Sequence, residues 1–181
     1  MTRTIFLFSI LLLPSLCPAQ DLDQFAKAHL PEGMDLAHPA VSGVFGPAGK
    51  HVVLLYRPHL NEGEFKGVVY VTGREKGIDL PAMGLIPNQF AIEVKAVFFE
   101  KLPGDATPAL LILYGYHRNG SEADDGNACL VYQWRGNQFV RVPDVENKIV
   151  SLVTADAVRK RLRQQPAPSP KKPALGGGTK L

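Results

Sequence analysis

Residues 46–56 read GPAGKHVVLLY and residues 104–114 read GDATPALLILY. Laying Tyr56 on Tyr114 also lays Gly46 on Gly104 and Ala48 on Ala106. Each stretch is a turn-rich lead into a short apolar run of strand character. The match resumes downstream. Residues 70–81, YVTGREKGIDLP, and 132–143, YQWRGNQFVRVP, each place a Pro eleven residues after a Tyr. Within them Gly73 and Gly136 mark tight turns, while Ile78 and Leu80 correspond to Val140 and Val142. Apolar residues at every second place bury one face of a strand. Each unit therefore reads strand, loop, strand, tight turn, strand: an antiparallel meander. Residues 90–100, FAIEVKAVFFE, add one more strand between the units, with Ile92, Val94 and Ala96 alternating with Glu93 and Lys95. Two units are too few for a closed propeller, which takes about four or more blades. The expected fold is mainly β, an antiparallel sheet or sandwich built from two similar meander units.

Helices are expected only near the ends. In DLDQFAKAHL, residues 21–30, Leu22, Phe25, Ala26, His29 and Leu30 fall on one stripe, and Asp21 is placed to cap. His29, on that stripe, reads as a packed side chain. In TADAVRKRLRQ, residues 154–164, Thr154 is the cap, Asp156 lies in the first turn and the basic residues cluster at the far end. Both charge placements suit the helix dipole.

The first residues look like an address. Arg3 precedes an apolar run from Ile5 to Leu13, shorter than the roughly 20 residues that a spanning helix needs. A charged start, a short apolar middle and small residues at the end make a secretory signal over residues 1–19, with the mature chain starting at Gln20. The protein is expected to be exported, periplasmic or secreted, with no transmembrane span after signal removal. The alternative is a lipid anchor through Cys17, although Leu16 is bulkier than the residue a lipoprotein signal places there. After cleavage Cys129 is the sole Cys, so no bridge within the chain can form and the core must hold the fold. Opening the apolar run CLVYQW, Cys129 reads as a buried small hydrophobe.

Domain organisation follows. Residues 20–165 form a single β-rich domain. Residues 166–181, PAPSPKKPALGGGTKL, read as a disordered basic tail. Seven of the 20 basic residues and none of the 17 acidic ones lie from Arg159 onward. The net charge of +3 therefore belongs to the stretch from Arg159 onward, and the chain before it is mildly acidic. No nucleic acid is expected as a partner; the tail suits an anionic surface.

The stretch LPGDATPALLILY resembles the FG-GAP or VCBS-type β-repeat in Asp105, Pro108 and the apolar residues 110–113, followed by a VYQW-like strand, a Gly turn and a QFVRV-like strand. The resemblance covers about residues 97–145, with an echo over 46–81. It implies an extracellular β module, of a kind that often binds calcium through turn aspartates and serves adhesion or carbohydrate binding. This chain departs at those ligands: Ala106 and Ala109 replace the Gly and the acidic residue, and the first unit has Pro47, Ala48 and His51. The metal role is not carried over, and what remains is architecture.

The acidic stretch SEADDGNA, residues 121–128, raises calcium again. An EF-hand template set on Gly126 keeps Asp125 but puts Ala123 and Ser121 at ligand places and Tyr132 at the closing Glu. Asn119-Gly120 and Asp125-Gly126 are turn dipeptides, so the stretch reads as a solvated hairpin connection. The five His show no metal spacing, and no nucleophile elbow, P-loop or dinucleotide motif occurs. No catalytic residue, metal ligand or cofactor is expected. The candidate ligand-binding residues are Tyr114, Tyr116, His117 and Arg118 at the mouth of that connection, with Glu122, Asp124 and Asp125 within it. The expected function is a non-enzymatic envelope or extracellular binding or structural module, its partner a glycan, a peptide or an envelope component. The alternatives are a small secreted hydrolase whose site forms only in the fold, and a calcium-stabilised adhesion repeat.

Overall fold

Each half of the chain closes its own four-stranded antiparallel sheet. The computed structural model describes residues 18–47, 49–59, 64–71, 74, 76–82, 89–118 and 121–164; for 18–20, 89–92, 118 and 121–124 it describes the backbone alone. The expected signal segment up to residue 17, Gly73 and the tail from 166 lie outside them. The first sheet runs β1 (Met34–Val44), β2 (Lys50–Pro58), β3 (Lys66–Val71), β4 (Ile78–Asp79). The second runs β5 (Gln89–Glu100), β6 (Ala109–Arg118), β7 (Ser121–Arg135), β8 (Gln138–Arg141). In both, neighbours in sequence are neighbours in space.

The two offsets that align the sequences also align the hydrogen-bond ladders. Val53 faces Val69 in the first sheet, and Leu111 faces Val131 in the second. β1 and β5 each slip register at matching places, between Leu36 and His38 and between Val94 and Ala96. Gly46 and Gly104 both adopt left-handed backbone, φ 66° and 87°, which favours glycine. The match ends at the last strand. Ile78 faces Val69, but Val140 faces Gln133, two residues past Val131. Gly136, at φ 67°, closes a tight two-residue turn between Arg135 and Gln138, so β7 runs further before reversing.

The sheets pack face to face as a sandwich around one core. Val53, Leu55, Val69 and Val71 of the first sheet meet Leu110, Ile112, Tyr114, Leu130 and Tyr132 of the second. Phe45 stacks on Phe99 at 4.5 Å between centroids and tilts against Phe139. Burying such side chains stabilises by roughly 1.5–3 kcal/mol each before chain entropy is subtracted. β1 lies against β5 and β4 against β8, so like strand covers like strand.

Short helices cover the outer faces. α1 (Pro18–His29) lays Ala26 on Leu54 and Val68. α2 (Pro143–Glu146) and α3 (Ala155–Arg163) lie over Leu111, Leu113, Cys129 and Val131, and Ile149, Val158 and Leu162 fill the space. Thr154 caps α3 by accepting from the Ala157 amide at 3.2 Å. Arg159 and Arg163 reach Glu100 at 3.4 and 3.3 Å, which gives those charges a structural use. No helix among the described residues is long and apolar enough to cross a membrane.

Four expectations need correction. Residues 34–44 form β1, making each unit four-stranded; β5 is the first strand of the second unit and not an addition between units. Residues 121–128 belong to strand β7, so the long connection shrinks to residues 119–120 between β6 and β7. Asp125-Gly126 is no turn: Gly126 pairs with Tyr116, whose ring would collide with a Cβ there at 2.4 Å. Asp21 sits inside the first turn of α1 and does not cap it.

Candidate functional site

The outer face of the second sheet changes character along its length. Under α2 and α3 it is apolar. Beyond them Glu93 and Lys95 on β5, Gly115 and His117 on β6, and Asp125 and Asn127 on β7 line a shallow cleft of about 290 Å³. The register makes the cluster: Gly115 faces Glu93 on one side and Asn127 on the other. Gly115 leaves room for the Lys95 side chain, whose Cε would lie 3.1 Å from any Cβ placed there. Lys95 thereby crosses β6 and donates to Asn127 Oδ1 at 2.6 Å. His117 donates through Nδ1 to Asp125 Oδ1. In the neutral ring that bond fixes the tautomer and leaves Nε2 as an acceptor.

The sequence candidates divide between the two faces. His117 and Asp125 come together in the cleft. Tyr114 does not line it: it is buried between the sheets, 5.9 Å from Phe65 in an edge contact, and burial pushes its hydroxyl up to about 12. Strand alternation dictates this, because Tyr114 and His117 lie an odd number of places apart. Tyr116, half-buried, packs against the same inter-sheet core. The side chains of Arg118, Glu122 and Asp124 lie outside the described residues. Glu93, Lys95 and Asn127 were not anticipated; a Gly inside an apolar strand, at 115, was the usable signal, since it marks a close approach.

The offset of the repeat exposes a second pair. His59 falls on His117 and Asp35 on Glu93, and His59 Nδ1 meets Asp35 Oδ2 at 2.6 Å. Both sheets thus carry a histidine–carboxylate pair at the same end of the second strand. The first pair is more exposed, at 65% and 55% of the two side chains against 29% and 46%.

A histidine held by a carboxylate is half of a nucleophilic constellation. Among the described residues, those lining the cleft include no Ser, Thr or Cys. Cys129 lies on the same face but is buried beneath the helices, and burial, helped by Glu146, pushes its thiol up to about 12. It packs as a small hydrophobe and supplies no thiolate near neutral pH. Among the described residues no group of three His, Cys, Asp or Glu side chains is placed to hold a metal ion.

Asp105, the turn residue carrying the repeat resemblance, is engaged by protein. Gln133 donates its amide to Asp105 Oδ2, and Gln133 Oε1 accepts from Arg135 at 2.8 Å. Burial pushes the Asp105 carboxyl up, with Arg135 opposing. A raised folded value means that the fold disfavours the ionised form. Stability from this group is therefore gained as pH falls through the raised value toward the ordinary one. Asp105→Asn, which keeps an acceptor for Gln133, is expected to raise the melting temperature slightly at pH 7. The gap from wild type should close by pH 4 in thermal melts; a destabilised variant would contradict it.

A second cavity, also about 290 Å³, opens between the sheets beside β4 and is lined by Leu55, Phe65, Leu80, Ile112 and Tyr132 with Lys66 and Asp79 at its rim. Tyr132 is anchored there by donating to the Pro81 carbonyl at 3.0 Å. Comparison with family models, curated proteins and solved structures finds no match to this chain.

Proposed function

We propose that the protein is an exported, non-enzymatic binding module whose ligand site is the polar cleft on the outer face of its second sheet. The observation that carries this reading is the Lys95–Asn127 and His117–Asp125 constellation across a glycine floor. It offers donors and acceptors of both signs on rigid strands, which suits a hydroxyl-rich glycan or a polar peptide backbone. Two similar meander units, taken as a duplication, agree with a repeat-built envelope or extracellular module. The proposed export rests on the leader ahead of Gln20, and the intact mass of protein recovered from the envelope or medium distinguishes release at Gln20 from acylation at Cys17.

Glycan and peptide arrays probed with the full chain test the cleft. Lys95→Ala and His117→Ala are each expected to weaken cleft binding about tenfold, the loss of one charge-assisted hydrogen bond of ~1.5 kcal/mol. Array signals that neither substitution moves would overturn the assignment. The His117–Asp125 pair favours a secreted hydrolase instead, and turnover of model esters or glycosides abolished by His117→Ala would establish that reading.

A further inference from the structure

The two sheets stack through unlike faces. Side chains of the first sheet that meet the core are the odd-numbered ones of β2 and β3, among them Val53, Leu55 and Val69. Their counterparts in the second sheet, Leu111, Leu113 and Val131, point away from the first sheet and lie under α2 and α3. The second sheet meets the core with Leu110, Ile112, Tyr114, Leu130 and Tyr132. The counterparts of those are Val52, Leu54, Tyr56, Val68 and Tyr70, on the outer face of the first sheet under α1. Both tyrosines match in identity. With like strands superposed, β1 on β5 and β4 on β8, the operation relating the sheets is close to a translation. It is not a two-fold.

A translation does not close. Each interface of this type leaves one face of each kind at the ends, and heterologous contacts of this sort propagate until capped. We propose that the two outer faces are a complementary pair of sheet-docking surfaces whose partner is a second copy of this chain, stacked head to tail, and that α1 and α3 are the caps that hold the stack at two sheets. α1 occupies the place of the next sheet below: Ala26 sits on Leu54 and Val68, and Phe25 meets Tyr70 edge-on at 5.2 Å. α3, through Val158 and Leu162, occupies the place of the next sheet above together with α2 and Ile149. The caps are unequal. Ala26 is the one wholly buried side chain among residues 21–29, whereas α3 buries two and adds ion pairs to Glu100. α1 is therefore the cap that yields first.

Full-length chains with one cap unseated test this. Ala26→Arg frees the face of the first sheet, and Leu162→Arg frees the part of the second that α3 covers. Light scattering is expected to show each variant alone as a monomer and their mixture as a 1:1 complex of twice the mass, since each partner keeps its other cap. A chain carrying both substitutions is expected to form open-ended multimers. Adding Tyr70→Lys to the first variant should weaken the mixed complex at least tenfold. Circular dichroism checks that each variant keeps its sheet; where one does not, Phe25→Ser or Val158→Ser replaces it. Two folded variants that stay monomeric on mixing, or that each form a homodimer, would overturn the proposal.

Discussion

Replacing Glu146 by alanine is expected to destabilise the protein by about 3 kcal/mol, far more than a surface charge would. Glu146 is mostly buried, 12% exposed, and does two jobs at the end of β8. Its carboxylate accepts from the Val131 amide at 3.0 Å, supplying the ladder bond that β8 is too short to give. It also pairs with Arg141, accepting from Nη2 at 2.5 Å and from Nε at 3.2 Å. The substitution leaves a half-buried guanidinium and a buried amide without these partners. Glu146→Gln keeps an acceptor for Val131 and is expected to recover about half of the loss. Urea titrations of the three proteins measure it, and a Glu146→Ala midpoint within error of wild type would refute the role.

Alkaline pH is expected to remove stability on the same scale. The Cys129 thiol and the Tyr114 hydroxyl are each pushed up to about 12, and the Tyr132 hydroxyl further. Burial is the main cause in all three; for the tyrosines Arg141 opposes it. The folded chain thus holds protons that the unfolded chain gives up near its ordinary values, ~8.5 for Cys and ~10 for Tyr. Their contribution is fully present below about pH 8.5 and falls as pH rises through the raised values. At roughly 1.4 kcal/mol per unit and group, about 6 kcal/mol is lost between pH 8 and pH 11. Cys129→Val should flatten the early part of that fall. Stability unchanged between these two pH values would contradict it.

Much of the architecture was legible because the similarity between the two halves of the sequence carries it. The paired Tyr56 and Tyr114, and Tyr70 and Tyr132, mark offsets that the ladders obey. β1 was not legible: MDLAHPAVSGV carries His, Pro and Gly, and its two register slips break the period-two pattern. Residues 121–128 misled for the opposite reason. Asp, Gly and Asn are turn formers, yet here Gly126 makes room for the Tyr116 ring, and the backbone of the stretch continues strand β7. In the cleft only His117 and Asp125 could be read from the sequence. Lys95 and Asn127, 32 residues apart, are joined by register alone.

The serial order β1-β2-β3-β4 then β5-β6-β7-β8 has a kinetic consequence. Every strand pairs only with its neighbour in the chain, so each meander closes short loops at small entropic cost. Either half can therefore zip from its own hairpins without waiting for the other. Docking of the two sheets is therefore expected to come last, and until it occurs their greasy sides would be open to any other nascent chain.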